Sequence, residues 1–161
     1  MKNLNKLISE SIKSSLCQIL NEDTNQNQTI ENFFQQHIIL IQEELDALNR
    51  FKQFFLEVTN MITNYLSSKD YLLNVENDHY ENNLLVTFNT NIQLVKDSDE
   101  YYNTSDDIEN ILLKQIKLID LNNYTGEYHK LIELGYNLDN NNNLYFELAT
   151  KVRKNDYSYY I

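Results

Sequence analysis

The stretch whose periodicity decides the fold is IENFFQQHIILIQEELDALNRFKQFFLEVTNMITNYL, from Ile30 to Leu66. Apolar residues fall at Phe34, Ile38, Ile41, Leu45 and Leu48, then at Phe51, Phe55, Val58, Ile62 and Tyr65. Steps of three and four residues mark one face of an α-helix, and no Pro or Gly interrupts them. A helix of about 37 residues at ~1.5 Å rise measures roughly 55 Å. A compact domain of this chain length is only roughly 40 Å across. The helix is therefore expected to protrude, to break, or to pack against other subunits.

The stripe has internal structure. Leu45 to Leu48 and Leu48 to Phe51 are two successive steps of three, a stammer that overwinds a coiled coil. A second row, Phe33, Leu40, Ala47, Phe54 and Met61, runs beside the first at seven-residue spacing. The apolar face is thus wider than a two-stranded seam. It predicts burial against more than one neighbour, with a kink near Asn49-Arg50. Two arrangements satisfy it: a core helix on the chain's own sheet, or a helix that contacts other subunits. The residues that would carry the second are Phe34, Ile41, Leu48, Phe51, Phe55 and Ile62.

Working outward, Leu4, Ile8, Ile12, Leu16 and Ile19 or Leu20 predict a shorter amphipathic helix over 4–20. The polar segment Asn21 to Gln28 is expected to break it, with Thr29 capping the long helix. After Lys69-Asp70 the period changes to two. Tyr71, Leu73 and Val75 alternate, as do Leu84, Val86, Phe88, Thr90, Ile92 and Leu94, the pattern of half-buried strands. Glu76 to Asn83 reads as their connection. An acidic stretch (Asp97, Asp99, Glu100, Asp106, Asp107, Glu109) covers a loop and a helix start at Thr104-Ser105, the helical period running over Ile108–Ile119 and ending at Asn122–Gly126. Two strands follow, one from Tyr128 to Leu138 and one from Leu144 to Val152, joined by the turn Asp139 to Asn143. The fold class is α+β: two N-terminal helices, the second long, then an antiparallel sheet of about four strands with one inserted helix, in the order α-α-β-β-α-β-β. A helical region 1–68 and an α+β region 69–161 are expected to form one domain.

Composition narrows the function classes. The 161 residues are 42% hydrophobic, and net charge is −11. Such a charge disfavours a phosphate-binding surface, so no sequence-specific nucleic-acid partner is expected. No apolar run reaches the ~18 residues of a membrane span, and the N-terminal stretch lacks the continuous apolar segment of a secretory signal. No membrane partner is expected. Asn, Ile, Lys and Tyr abound while Pro and Trp are missing, the usage of an AT-rich genome.

Residue types that carry catalysis do not assemble into a pattern. Asp139-x-Asn141-x-Asn143 begins like a calcium loop, but Leu144 stands where the turn Gly is required and Thr150 where the bidentate Glu belongs. His37, His79 and His129 form no metal-ligand pair, and Cys17 is the lone cysteine, on the apolar side of the first helix. Two glycines exclude a Gly-rich phosphate cradle. Glu127, His129 and Glu133 could share one strand face, where a solvated surface is the simpler reading. No catalytic residue, no metal and no cofactor is expected. Twelve tyrosines are present, and Tyr101, Tyr102, Tyr157, Tyr159 and Tyr160 are contact candidates because the ring is large and freezes few rotamers.

The opening Leu4-Asn-Lys-Leu-Ile-Ser-Glu-Ser-Ile-Lys-Ser-Ser-Leu16 resembles the N-terminal helix of many small proteins of crAss-like and other tailed phages. The long alternating strand Leu84 to Val95, the helix Ile108 to Ile119 and the final hairpin are together similar in organisation to tail-terminator and neck proteins. That resemblance implies a non-enzymatic virion component at the neck, the tail terminator or another portal-vertex ring, with copies of itself or other virion proteins as partners. It would be assembled in the bacterial host cytoplasm. The long second helix departs from that organisation. The alternative is a small acidic inhibitor or immunity-type protein that binds a basic partner by charge complementarity.

Overall fold

The computed structural model describes residues 2–80 and 83–151, with side chains described over 8–18, 28–79 and 83–151. Its elements are α1 (Lys2–Ser68), β1 (Leu72–Tyr80), β2 (Asn83–Gln93), α2 (Asp99–Asn123), a 3-10 turn (Tyr128–Leu131), β3 (Ile132–Leu138) and β4 (Asn143–Thr150). The class is α+β, helices followed by a four-stranded antiparallel sheet with one inserted helix. The chain divides into two compact units, 1–43 and 44–161. This boundary falls inside α1, not near residue 68, because sheet and α2 side chains pack on the helix only from Ala47 onward.

The first unit is helix alone. Both predicted helical segments are present, and they join: the backbone is helical straight through the Asn21–Gln28 break and past Thr29. A polar run without Pro or Gly lowers helix propensity by only about 0.5 kcal/mol per residue, too little to stop a helix already propagating. Cys17, expected on an apolar side, is exposed.

The second unit holds the core. Phe54, Phe55, Val58, Ile62 and Leu66 of α1 are buried at helical spacing. The helix ends where Asp70 adopts φ 57°, which lets the Tyr71 N–H reach the Leu66 carbonyl at 2.9 Å. The sheet order is β1-β2-β4-β3, and its register lines up the core in rows. Val86 faces Leu148, which faces Leu134, and Phe88 faces Phe146, which faces Tyr136. In a third row, Thr90 is fully buried and donates its hydroxyl to the Leu144 carbonyl at 2.6 Å. From α2, Ile108, Leu112 and Ile116 complete the same cluster.

Three boundaries differ from those read in the sequence. First, α2 begins at Asp99 rather than at Thr104-Ser105. Ser98 caps it, its Oγ accepting from the Tyr101 N–H at 3.1 Å, and Asp99 and Glu100 occupy the first turn, where carboxylates suit the helix dipole. Second, β1 extends through the expected connection to Tyr80. An edge strand needs no apolar alternation, and its residues 76–79 are exposed. Third, Tyr128–Leu131 is a 3-10 turn instead of a strand start, because the buried Asp120 carboxylate accepts the His129 N–H at 2.7 Å and bends the chain. Val152 and the tail tyrosines Tyr157, Tyr159 and Tyr160 lie outside the described residues.

Candidate interaction surface

The apolar residues of 30–41 have nothing in their own unit to cover them. A single helix offers no facing surface, and every described side chain of residues 8–18 and 28–42 is exposed. Phe34 is 60% and Ile41 66% exposed, while Ile30, Phe33, Ile38, Ile39 and Leu40 are all at least 48% exposed. Phe33 meets Phe34 edge-on at 5.6 Å and lies tilted against the His37 ring at 4.3 Å. His37 Nδ1 lies 2.9 Å from the Phe33 carbonyl. These ring contacts stay on the helix surface and bury little.

Each Ile or Phe left in water forgoes about 1.5–3 kcal/mol of transfer free energy. Contiguous exposed patches of this kind mark interaction sites on stable proteins. The amphipathic stripe that the sequence carries without a break therefore has two environments. Beyond Ala47 it faces the sheet. Before it, the stripe is open.

The residues singled out for subunit contact divide accordingly. Phe34 and Ile41 are open, in the first unit, and Leu48 is 40% exposed in the second. Phe51, Phe55 and Ile62 are buried in the chain's own core, where Phe51 packs on Tyr128 at 5.9 Å. They are core residues because the sheet and α2 already cover that part of the stripe. Tyr101 is likewise buried, edge-on to Tyr136 at 5.7 Å. Tyr102 stays exposed and donates to Asp97 at 3.1 Å. Both sit in the first turn of α2, not in a loop.

The sheet carries a second open face, of opposite character. Its strand pairing places Glu76 of β1, Thr87 of β2 and Glu147 of β4 in one row, and Asp78, Leu85, Ala149 and Glu133 in the next. Four carboxylates thus share the face away from the core. Lys151 reaches Glu133 at 3.4 Å. Burial, and then the charge of Glu147, raise the Tyr145 phenol above its ordinary value.

Glu127, His129 and Glu133 do not converge. Glu127 precedes the 3-10 turn, and Glu133 points to the acidic face. His129 instead pairs with Asp120, a contact nine residues back that strand alternation cannot reveal. Among the described residues no group of three or more His, Cys, Asp or Glu side chains could hold a metal ion, and no helix is long and apolar enough to cross a membrane. Compared with protein families, with curated proteins and with solved structures, the chain matches nothing.

Proposed function

We propose that this chain is a non-enzymatic structural or assembly protein of a tailed-phage virion, a component of the neck, tail terminator or another portal-vertex ring, acting through subunit contacts. The observation that carries the assembly part is the uncovered stripe, with Phe34 and Ile41 at its centre. The phage assignment rests on the resemblance of Leu4–Leu16 to phage N-terminal helices and on the AT-rich residue usage. In this reading residues 30–41 bury against adjacent copies or another virion protein, while the 44–161 unit keeps its own core. Light scattering at micromolar concentration tests it. Assembly is expected, and Phe34→Glu with Ile41→Glu should reduce it to single chains. A wild-type chain that stays monomeric, alone and with virion proteins, defeats the proposal.

The acidic sheet face favours a second reading, an inhibitor or immunity-type protein. Glu76, Asp78, Glu133 and Glu147 would meet a cationic partner, with association slowed steeply by salt. Charge reversal at Glu76 and Glu147 would separate the two, since it leaves the helix stripe untouched.

A further inference from the structure

A cavity of about 300 Å³ opens between α2 and the edge strand β3. Its floor is apolar and buried: Ile116, Ile132 and Leu134 are each no more than 9% exposed. Its rim is cationic. Asn110, Lys114 and Lys117 line it from one face of α2, spaced four and three residues apart. Neither Lys114 nor Lys117 has an ion-pair partner among the described residues.

The remaining polar wall is His129, and its orientation is set from below. Asp120 is completely buried. Its carboxylate accepts from the Gly126 N–H at 3.0 Å and from the His129 N–H at 2.7 Å, and the His129 Nδ1 lies 2.7 Å from Oδ2. A buried carboxylate must be supplied with donors, so Nδ1 carries its proton toward Asp120. Nε2 is then the acceptor nitrogen of the ring, and it has no partner among the described residues.

We propose that this cavity binds a small carboxylate with a short apolar body. The carboxylate would sit between the Lys114 and Lys117 ammoniums, which donate to it, and the body would cover Ile132 and Leu134 beside the His129 ring. The volume is at the lower end of the ~300–1,000 Å³ of ligand pockets, so the ligand is small. Two lysine point charges beside an apolar floor suit an anion that carries a hydrocarbon body. The buried Asp120 is already compensated by its own donors, so the two lysines present their charge to the ligand. This site is independent of the helix stripe and of any assembly through it.

Ligand-observed saturation-transfer NMR on the full chain tests this, whatever its assembly state, with hexanoate as the probe. Hexan-1-ol supplies the tail without the charge, and inorganic phosphate, read through its displacement of hexanoate, the charge without the tail. Saturable hexanoate binding is expected, at least about tenfold tighter than either control, a difference of about 1.4 kcal/mol. Lys114→Gln with Lys117→Gln, both at exposed positions, should weaken hexanoate about tenfold and leave hexan-1-ol unchanged. Absence of saturable hexanoate binding overturns the proposal. So does either control binding as tightly as hexanoate, or hexanoate binding that is indifferent to the double substitution.

Discussion

The Tyr124 hydroxyl donates to Glu57 Oε2 at 2.9 Å, fastening the end of α2 to the core-facing part of α1. Asn123 Nδ2 donates to the other oxygen of the same carboxylate, also at 2.9 Å. Burial, then the hydrogen bond to Glu57 and its charge, push the Tyr124 phenol up to about 12. The folded state therefore holds this proton more tightly than the unfolded chain does. The resulting stabilisation is complete below the ordinary phenol value of ~10 and is lost as pH rises through about 12. Urea midpoints should be flat from neutral pH to about 9.5 and fall above it. Tyr124→Phe should cost about 1 kcal/mol at neutral pH and make the alkaline fall shallower. It will not abolish that fall, because Tyr136, bonded to Asp106, is also raised.

Phe54 and Phe34 have the same side chain on the same helix and opposite surroundings. Phe54 is fully buried against Tyr124 and Tyr128, with ring centroids at 5.4 and 5.8 Å. Phe54→Ala should cost about 3–5 kcal/mol. Phe34→Ala should change the stability of the 44–161 unit by less than about 0.5 kcal/mol while weakening self-association. Denaturant melts read beside sedimentation velocity separate the two effects. Equal losses of stability would contradict the division of the stripe near Ala47.

Thr90 tests a hydroxyl bonded inside the sheet's buried face. Its Oγ donates to the Leu144 carbonyl at 2.6 Å and accepts from the Ile92 N–H at 3.2 Å. Thr90→Val keeps the shape and leaves both backbone groups short of a partner, at about 1–3 kcal/mol. Thr90→Ser keeps both bonds and loses only a methyl, so it should cost less than the valine. Chemical denaturation of the two variants checks the order.

The β3–β4 turn should be acid-sensitive. The Asp139 carboxylate accepts from the Asn143 N–H, the Asn143 side chain and the Asn141 N–H at 2.9, 3.1 and 2.7 Å. The backbone bond from Asn143, then its side-chain bond, hold Asp139 below the usual carboxylate range. A depressed value in the folded state stabilises above the unfolded value of ~3.9 and is lost as pH falls through the folded one. Asp139→Ala should lower the thermal midpoint at neutral pH, and the difference from wild type should shrink below about pH 3. The same bonds explain why the segment that begins like a calcium loop is a turn: its carboxylate is spent on its own backbone, with Asn142 at φ 63°.

Element types were legible because periodicity is a local property. Leu84 to Leu94 alternates and is β2, and Ile108 to Ile119 steps helically and lies in α2. Failures came where a single side chain redirects the backbone. Ser98 started α2 early, and Asp120 drew Tyr128–Leu131 out of the strand. The cavity at Lys114, Lys117 and His129 was invisible for a related reason. Lys114 and Lys117 lie on α2, and the cavity they line exists only once β3 packs alongside.

The stripe from Ile30 to Leu66 separates the two levels of information. Its spacing makes one apolar helix face, since side-chain direction depends on backbone geometry alone. Nothing in that spacing distinguishes Phe34 from Phe55. One is 60% exposed and the other 6%, because what covers a helix face is supplied by strands and helices distant in sequence. Packing in three dimensions assigned Phe51, Phe55 and Ile62 to the chain's own core and left Phe34 and Ile41 open.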